Sequence, residues 1–292
     1  MFKDPLVIAG KEYKSRLLVG TGKYINEEQA LESIKASKSE IVTVAIRRVE
    51  LDSKKRPNSI LNFVTPEQFT ILPNTAGCFS AKEAIRIACL GRELLNGESL
   101  VKLEVLKDKE TLLPLMDETV SAAKELVNLG FKVMVYCTDE LDYALTLEDI
   151  GCVAIMPLAS PIGSGQGIIN PEAIEKIIEK ISCPVIIDAG IGTASEVTIA
   201  MEMGCDGVLL NTAIAKAKDP ILMAEAMRDA AISGRKSFLA GRIPVKKDAN
   251  PSSPMKGIVN SWKILSKVFP RHDQDLRLKI NRFFQKQMRF FL

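Results

Sequence analysis

Lys102 and Glu104 stand two residues apart within the apolar run VKLEVL, residues 101–106. Side chains alternate along a β-strand, so the two share one face while Val101, Leu103 and Val105 share the other. A lysine drawn out of water has a lowered pKa, and its free amine attacks a ketone or aldehyde to form an imine. Glu104 opposes that shift electrostatically but supplies a proton carrier for imine formation. An internal salt bridge would use the same pair, and spacing alone does not separate the two.

Three further segments have the make-up of a phosphate site. In PVIIDAGIGTASE, 184–196, Asp188 ends an apolar strand and Gly190 and Gly192 allow close backbone approach. A helix starting near Thr193–Ser195 would aim free N–H groups at that loop. In VLLNTAIA, 208–215, Asn211 and Thr212 offer donors at the next strand end. The loop SPIGSGQG, 160–167, has three glycines, including Gly163, that permit φ > 0 as a ligand-covering loop needs. Plain structural readings remain beside these: a glycine-rich turn with Asp188 as a cap, and a flexible surface loop.

Other chemistries are excluded. His272 is the only histidine, which removes His-based metal centres and Ser/Cys–His nucleophile pairs. The six cysteines, Cys78, Cys89, Cys137, Cys152, Cys183 and Cys205, form no C-x-x-C pair and read mostly as buried, unreactive thiols. No metal and no cofactor is expected.

Positioning these residues requires a scaffold. Val/Ile/Leu-rich runs predict strands at 16–22, 40–46, 69–75, 99–105, 131–137, 152–158, 183–190 and 206–213. Apolar residues at i, i+3 and i+4 predict helices at 26–37, 81–96, 117–129, 139–150, 171–181, 194–203 and 219–233. Near-continuous apolar strands alternating with amphipathic helices mean a parallel sheet covered by helices. Eight such units favour closure into an α/β (β/α)8 TIM barrel, whose active site lies at the C-terminal ends of the strands. An open dinucleotide-binding sheet would carry G-x-G-x-x-G, and GTGKYINEE after the first strand lacks the third glycine.

The 292 residues, 47% hydrophobic and 26% charged, suit one such barrel over 1–257 and a C-terminal basic helical extension over 258–292. Residues 256–292 hold nine Lys/Arg against two Asp, a net +7, whereas the whole chain is only +3. The body is therefore mildly acidic, which gives no case for nucleic-acid binding. The extension would add a helix or two on the barrel, or form a basic amphipathic helix for an anionic surface. No run approaches the roughly 18 apolar residues of a transmembrane segment, and the N-terminus has no secretory core. The expected location is cytoplasmic, or the plastid stroma for a plastid-encoded copy.

The blocks LLVGTGKY, ILPNTAG, KLEV, MPLASPIGSGQGI, PVIIDAGIG, GVLLNTAIA and AGRIP…SSP, in this order, closely resemble bacterial-type thiazole synthase of thiamin biosynthesis. The resemblance runs from about residue 6 to 257. It implies a (β/α)8 enzyme that combines 1-deoxy-D-xylulose 5-phosphate, a glycine-derived imine and sulfur into thiazole phosphate carboxylate. It also implies that Lys102 forms the imine with the sugar ketone and that Glu104 and Asp188 are the acid–base pair. Gly163, Ala189, Gly190, Asn211 and Thr212 would hold the sugar phosphate. As partners it implies a ubiquitin-like sulfur-carrier protein bearing a thiocarboxylate, and further copies of the chain in a homo-oligomer. Two competing expectations are another Schiff-base phosphosugar barrel, such as a class I aldolase, and a catalytically silent barrel that only docks the carrier.

Overall fold

Eight short runs, each almost wholly apolar, hydrogen-bond side by side in one sheet. In this computed structural model, which describes residues 4–48 and 60–253, they are β3 (Leu17–Gly20), β4 (Ile41–Ala45), β5 (Thr70–Asn74), β6 (Leu100–Leu103), β7 (Lys132–Cys137), β8 (Ala154–Pro157), β9 (Ile186–Asp188) and β10 (Gly207–Leu210). Every pairing is parallel, in the order β8-β7-β6-β5-β4-β3-β10-β9. Parallel bridges Ile155–Val185 and Leu158–Asp188 join β8 to β9 and close the cylinder. The expected (β/α)8 barrel is therefore present, with all eight strands where the apolar runs place them.

The helices α1 (Glu27–Ser37), α2 (Ala81–Leu94), α3 (Met116–Asn128), α4 (Leu141–Ile150), α5 (Pro171–Lys180), α6 (Ala194–Met203), α7 (Thr212–Ala215) and α8 (Pro220–Ala240) return the chain between strands. Polar caps start several of them: the Asn26 side chain accepts from Gln29 N–H, Ser80 from Glu83 N–H, and Asp219 from Leu222 N–H. Their apolar faces cover the outside of the sheet in two clusters, one around Val101, Leu103, Val133 and Val135, the other around Val19, Val42, Ile187 and Val208.

Four details complicate an even eightfold β/α repeat. The unit after β4 has no α-helix among the described residues, only 3-10 turns at Ile46–Arg48 and Ile60–Asn62. The four-residue α7 was not expected, and α8 runs on to Ala240. A hairpin, β1 (Leu6–Ile8) with β2 (Lys11–Tyr13), also precedes the barrel; strands of three residues are too short to register as a pattern. Leu6, Ile8 and Tyr13 of this hairpin plug the N-terminal end, packing on Leu18, Ile41, Leu72, Met134 and Ile186 inside the barrel.

Charges staple the plug in place. Buried Arg16 donates to the carbonyls of Asp206, Asp4 and Pro5 and pairs with the Asp4 carboxylate at 2.9 Å. Arg235 of α8 donates to both Asp4 oxygens, at 2.7 and 2.9 Å. Asp206 is held in turn by the Val185 N–H.

The chain divides into two compact units, Met1–Arg242 and Ile243–Leu292; in the second, residues 243–253 are exposed irregular chain. The expected junction at 257/258 and the basic extension lie outside the described residues. Among the described residues no helix is long and apolar enough to cross a membrane.

Candidate active site

Strand alternation points Lys102 inward, and Asn74 and Met134, its register partners on β5 and β7, flank it. Lys102, Glu104 and Asp188 are each about 5% exposed, at 5%, 5% and 4%. Lys102 Nζ donates to Glu104 Oε1 at 2.9 Å and lies 2.5 Å from Asp188 Oδ2. Both carboxylates are thus held directly against the one ammonium. Glu104 is fixed from behind: its N–H donates to Thr75 Oγ1, and the Thr75 hydroxyl donates to its carbonyl.

The ammonium is not the depressed amine that burial alone predicts. Burial does lower its proton affinity, but Asp188 and Glu104 outweigh that and raise Lys102 above the ordinary lysine range. Burial pushes the Asp188 carboxyl up against the pull of Lys102. The resting site is thus an ion triad holding the proton on nitrogen, and attack on a carbonyl requires passing it to a carboxylate first.

The triad opens into a cavity of about 300 Å³ at the C-terminal ends of the strands. Gly163, Ala189, Gly190, Asn211 and Thr212 line it together with Lys102, Glu104 and Asp188, so all eight residues selected from the sequence share one space. Ala189 (φ 65°) and Gly190 (φ 75°) are successive left-handed residues that turn the chain directly above Asp188. Gly190 is obligatory for a reason beyond ligand approach: a Cβ there would stand 2.0 Å from Ser160 Oγ. Likewise a Cβ on Gly192 would meet the Gly165 carbonyl at 2.9 Å, so these glycines pack the SPIGSGQG loop on the strand-seven turn.

One expectation fails locally. The Gly192 and Thr193 N–H groups at the start of α6 are not free for an anion, because both donate to Glu196 Oε2. A capping carboxylate one turn into the helix consumes them. Lys23, which sequence reasoning passed over, lines the cavity beside Gly163 and Thr212. Its ammonium donates to Thr212 Oγ1 at 3.2 Å, and a Cβ on Gly163 would lie 3.3 Å from it. Lys23 also has a left-handed backbone (φ 71°), uncommon for a non-glycine residue. The LLVGTGKY block places it directly after strand one, which was the available signal.

Three other polar residues were missed. Tyr136, fully buried on β7, lies with its ring centroid 5.6 Å from Lys102 Nζ, and its hydroxyl has no partner. Burial raises that phenol well above the usual tyrosine range, so it is a neutral donor. Thr43 and Asn74 line the cavity on the β4–β5 side. The cysteines behave as expected: all six are free, and burial pushes Cys152 and Cys183 up to about 12.

Over residues 7–254 the chain matches the family described as thiazole biosynthesis protein ThiG. It belongs to that family. Curated relatives named thiazole synthase include that of Bordetella pertussis, 58% identical over 262 residues, 89% of this chain and 99% of that protein. That of Aromatoleum aromaticum is 58% identical over 259 residues, 88% of this chain and 99% of that protein. A solved Amycolatopsis orientalis BexX/CysO complex superposes with a TM-score of 0.75 at 33% identity, covering 84% of this chain and 100% of that one. Thiamine phosphate pyrophosphorylase from Pyrococcus furiosus, at 16% identity and a TM-score of 0.53 over 76% of this chain and 97% of that one, shares the fold alone. The family is one of enzymes, thiazole synthases of thiamin biosynthesis in the transferase class. All eight residues selected from the sequence fall inside the matched span.

Proposed function

We propose that this cavity joins 1-deoxy-D-xylulose 5-phosphate, a glycine-derived imine and thiocarboxylate sulfur into thiazole phosphate carboxylate, through an imine on Lys102. The single observation that carries the reading is the buried Lys102 ammonium held between two carboxylates and opening into a cavity with an anion-accepting end. Gly163, Ala189, Gly190, Asn211 and Thr212 hold the phosphate, and the Lys23 ammonium balances its charge.

The triad also explains how a protonated lysine becomes a nucleophile. Asp188, whose proton affinity burial raises, accepts the Lys102 proton as a neutral carbonyl enters the site. The amine then bonds to the ketone carbon, giving a carbinolamine. The carboxyl returns its proton to the departing hydroxyl, water leaves, and a protonated imine remains beside two carboxylates. That imine acidifies the neighbouring carbon, and Glu104 or Asp188 removes its proton.

Sulfur would arrive on the C-terminus of a ubiquitin-like carrier inserted at the strand ends. The similarity to BexX, solved in complex with CysO, supports a protein partner for this fold. The test is a reconstitution with all three substrates, followed by mass spectrometry of the product. Carboxylated thiazole phosphate that depends on each substrate is expected; product that forms without the ketose phosphate or without carrier thiocarboxylate contradicts the reading.

A further inference from the structure

Two irregular turns form one wall of the cavity: Ile162 and Gly163 from the SPIGSGQG loop, and Ala189, Gly190 and Ile191 after β9. Gly163, Gly165, Gly167, Ala189 and Gly190 all have left-handed backbones. Chain so rich in glycine has little shape of its own, so its form depends on what it packs against. The two turns meet behind the cavity wall, where Gly167 N–H donates to the Gly190 carbonyl at 2.9 Å.

Glu196 sits at this junction and reaches both turns. Its Oε2 accepts from Gly192 N–H at 2.7 Å and from Thr193 N–H at 3.2 Å. On the other side, a Cβ on Gly167 would stand 2.7 Å from Oε1 and 2.8 Å from Cδ, so the carboxylate packs on that glycine. A glutamate at this helix position ordinarily reaches back only to the N-cap N–H, here that of Thr193. The shorter bond goes one residue further, into the turn itself. Glu196 does not line the cavity, so any effect on a bound ligand must pass through the two turns.

We infer that Glu196 is a positioning residue for ketose-phosphate binding, its carboxylate setting the spacing of the two turns that wall the cavity. It acts through Gly163, Ala189 and Gly190 and takes no part in bond-making at Lys102. Lys102 and Asp188 are held by the strands β6 and β9, whereas the turns lean on this one side chain. Loss of Glu196 therefore weakens binding and leaves the step on Lys102 intact. The inference rests on the proposed use of these turns to hold the sugar phosphate.

Borohydride trapping of 1-deoxy-D-xylulose 5-phosphate by the intact protein, followed against ligand concentration, is the test, with calorimetric titration of the same ligand alongside. Glu196→Ala is expected to raise the half-saturating concentration about tenfold or more in both, with the limiting trapping rate within about twofold of wild type. Glu196→Gln, whose amide oxygen still accepts from both N–H groups, should recover most of the loss. Formate, which fits the space of the missing carboxylate, should also restore binding to Glu196→Ala, and sodium chloride at equal ionic strength should not. Unchanged half-saturation in Glu196→Ala overturns the inference. A lower limiting rate at unchanged half-saturation also overturns it and places Glu196 in the chemistry. A loss that neither Glu196→Gln nor formate reverses overturns it too and makes the residue a structural cap. Should Glu196→Ala not fold, Glu196→Asp decides, since its shorter side chain does not span Gly192 and Gly167; wild-type half-saturation there overturns the inference. Calorimetric binding without trapping in the wild type contradicts the imine on Lys102, while the shift in binding still reads Glu196. Neither binding nor trapping by the wild type overturns both.

Discussion

Both ends of this barrel bury charge, and they do so to opposite purpose. At the N-terminal end, Arg16 and Arg235 meet Asp4, and Arg16 also donates to three backbone carbonyls, so both guanidinium groups are turned to acceptors within the protein. At the C-terminal end, Lys102 meets Glu104 and Asp188 beside a cavity of about 300 Å³, where Asn211 Oδ1 has no hydrogen-bond partner. The first arrangement is closed by the β1–β2 hairpin and stabilises the fold. The second is left open and reactive. Buried ion pairs alone do not mark an active site; unspent hydrogen-bonding capacity facing open space does.

The contrast predicts that substitutions at one end change rate and at the other change stability. The largest effect belongs to Lys102→Ala, for which turnover should fall by on the order of 10⁴-fold or more, since the nucleophile is lost. The protein should still fold, because one of the two remaining carboxylates takes up a proton, and circular dichroism would show this. Next is Arg16→Met, which leaves buried carbonyls and Asp4 short of a partner. It should cost about 3–5 kcal/mol, read as a lower urea midpoint, with turnover per folded molecule unchanged. A stable Arg16→Met protein with impaired catalysis would break the comparison.

A smaller effect sharpens the chemistry. Because Lys102 is raised above the ordinary lysine value of about 10.4, the neutral amine is scarce at pH 7 and increases with pH. Adduct formation by the wild type should climb steadily through the alkaline range. Asp188→Asn removes one of the two groups that raise Lys102, so its curve should flatten at lower pH, with a maximum lower by about 10²-fold. An unchanged pH profile would detach Asp188 from the lysine proton. The smallest effect is Lys23→Met, expected to raise KM for the ketose phosphate about tenfold, or about 1.4 kcal/mol, with kcat nearly intact. If kcat falls and KM stays, Lys23 belongs to the chemistry rather than to phosphate binding.

Much of this was legible before any coordinates. The strands are apolar on both faces, so VKLEVL is conspicuous: Lys102 and Glu104 are polar residues with no solvent face to occupy. Asp188 stood out for the same reason at the end of PVIID. Less visible were features made by contacts between distant segments. The sign of the Lys102 shift depends on Asp188 arriving from three strands away, which spacing within one strand does not reveal. The donors of Gly192 and Thr193 looked free because Glu196 reads as an ordinary helix residue until its side chain folds back. Lys23, Thr43 and Asn74 sit in blocks with unremarkable composition; only closure of the barrel turns them toward the same cavity. The hairpin plug has too few residues for any periodicity to show.

The most direct measurement is peptide-resolved mass spectrometry after incubating the protein with 1-deoxy-D-xylulose 5-phosphate and borohydride. Among the described residues two lysines line the cavity, Lys102 and Lys23, and they have different work. A reduced sugar-phosphate adduct confined to Lys102, and absent from Lys102→Ala, is the predicted result. An adduct on Lys23, or none on a folded wild type, would contradict it and return Lys102, Glu104 and Asp188 to a structural ion triad.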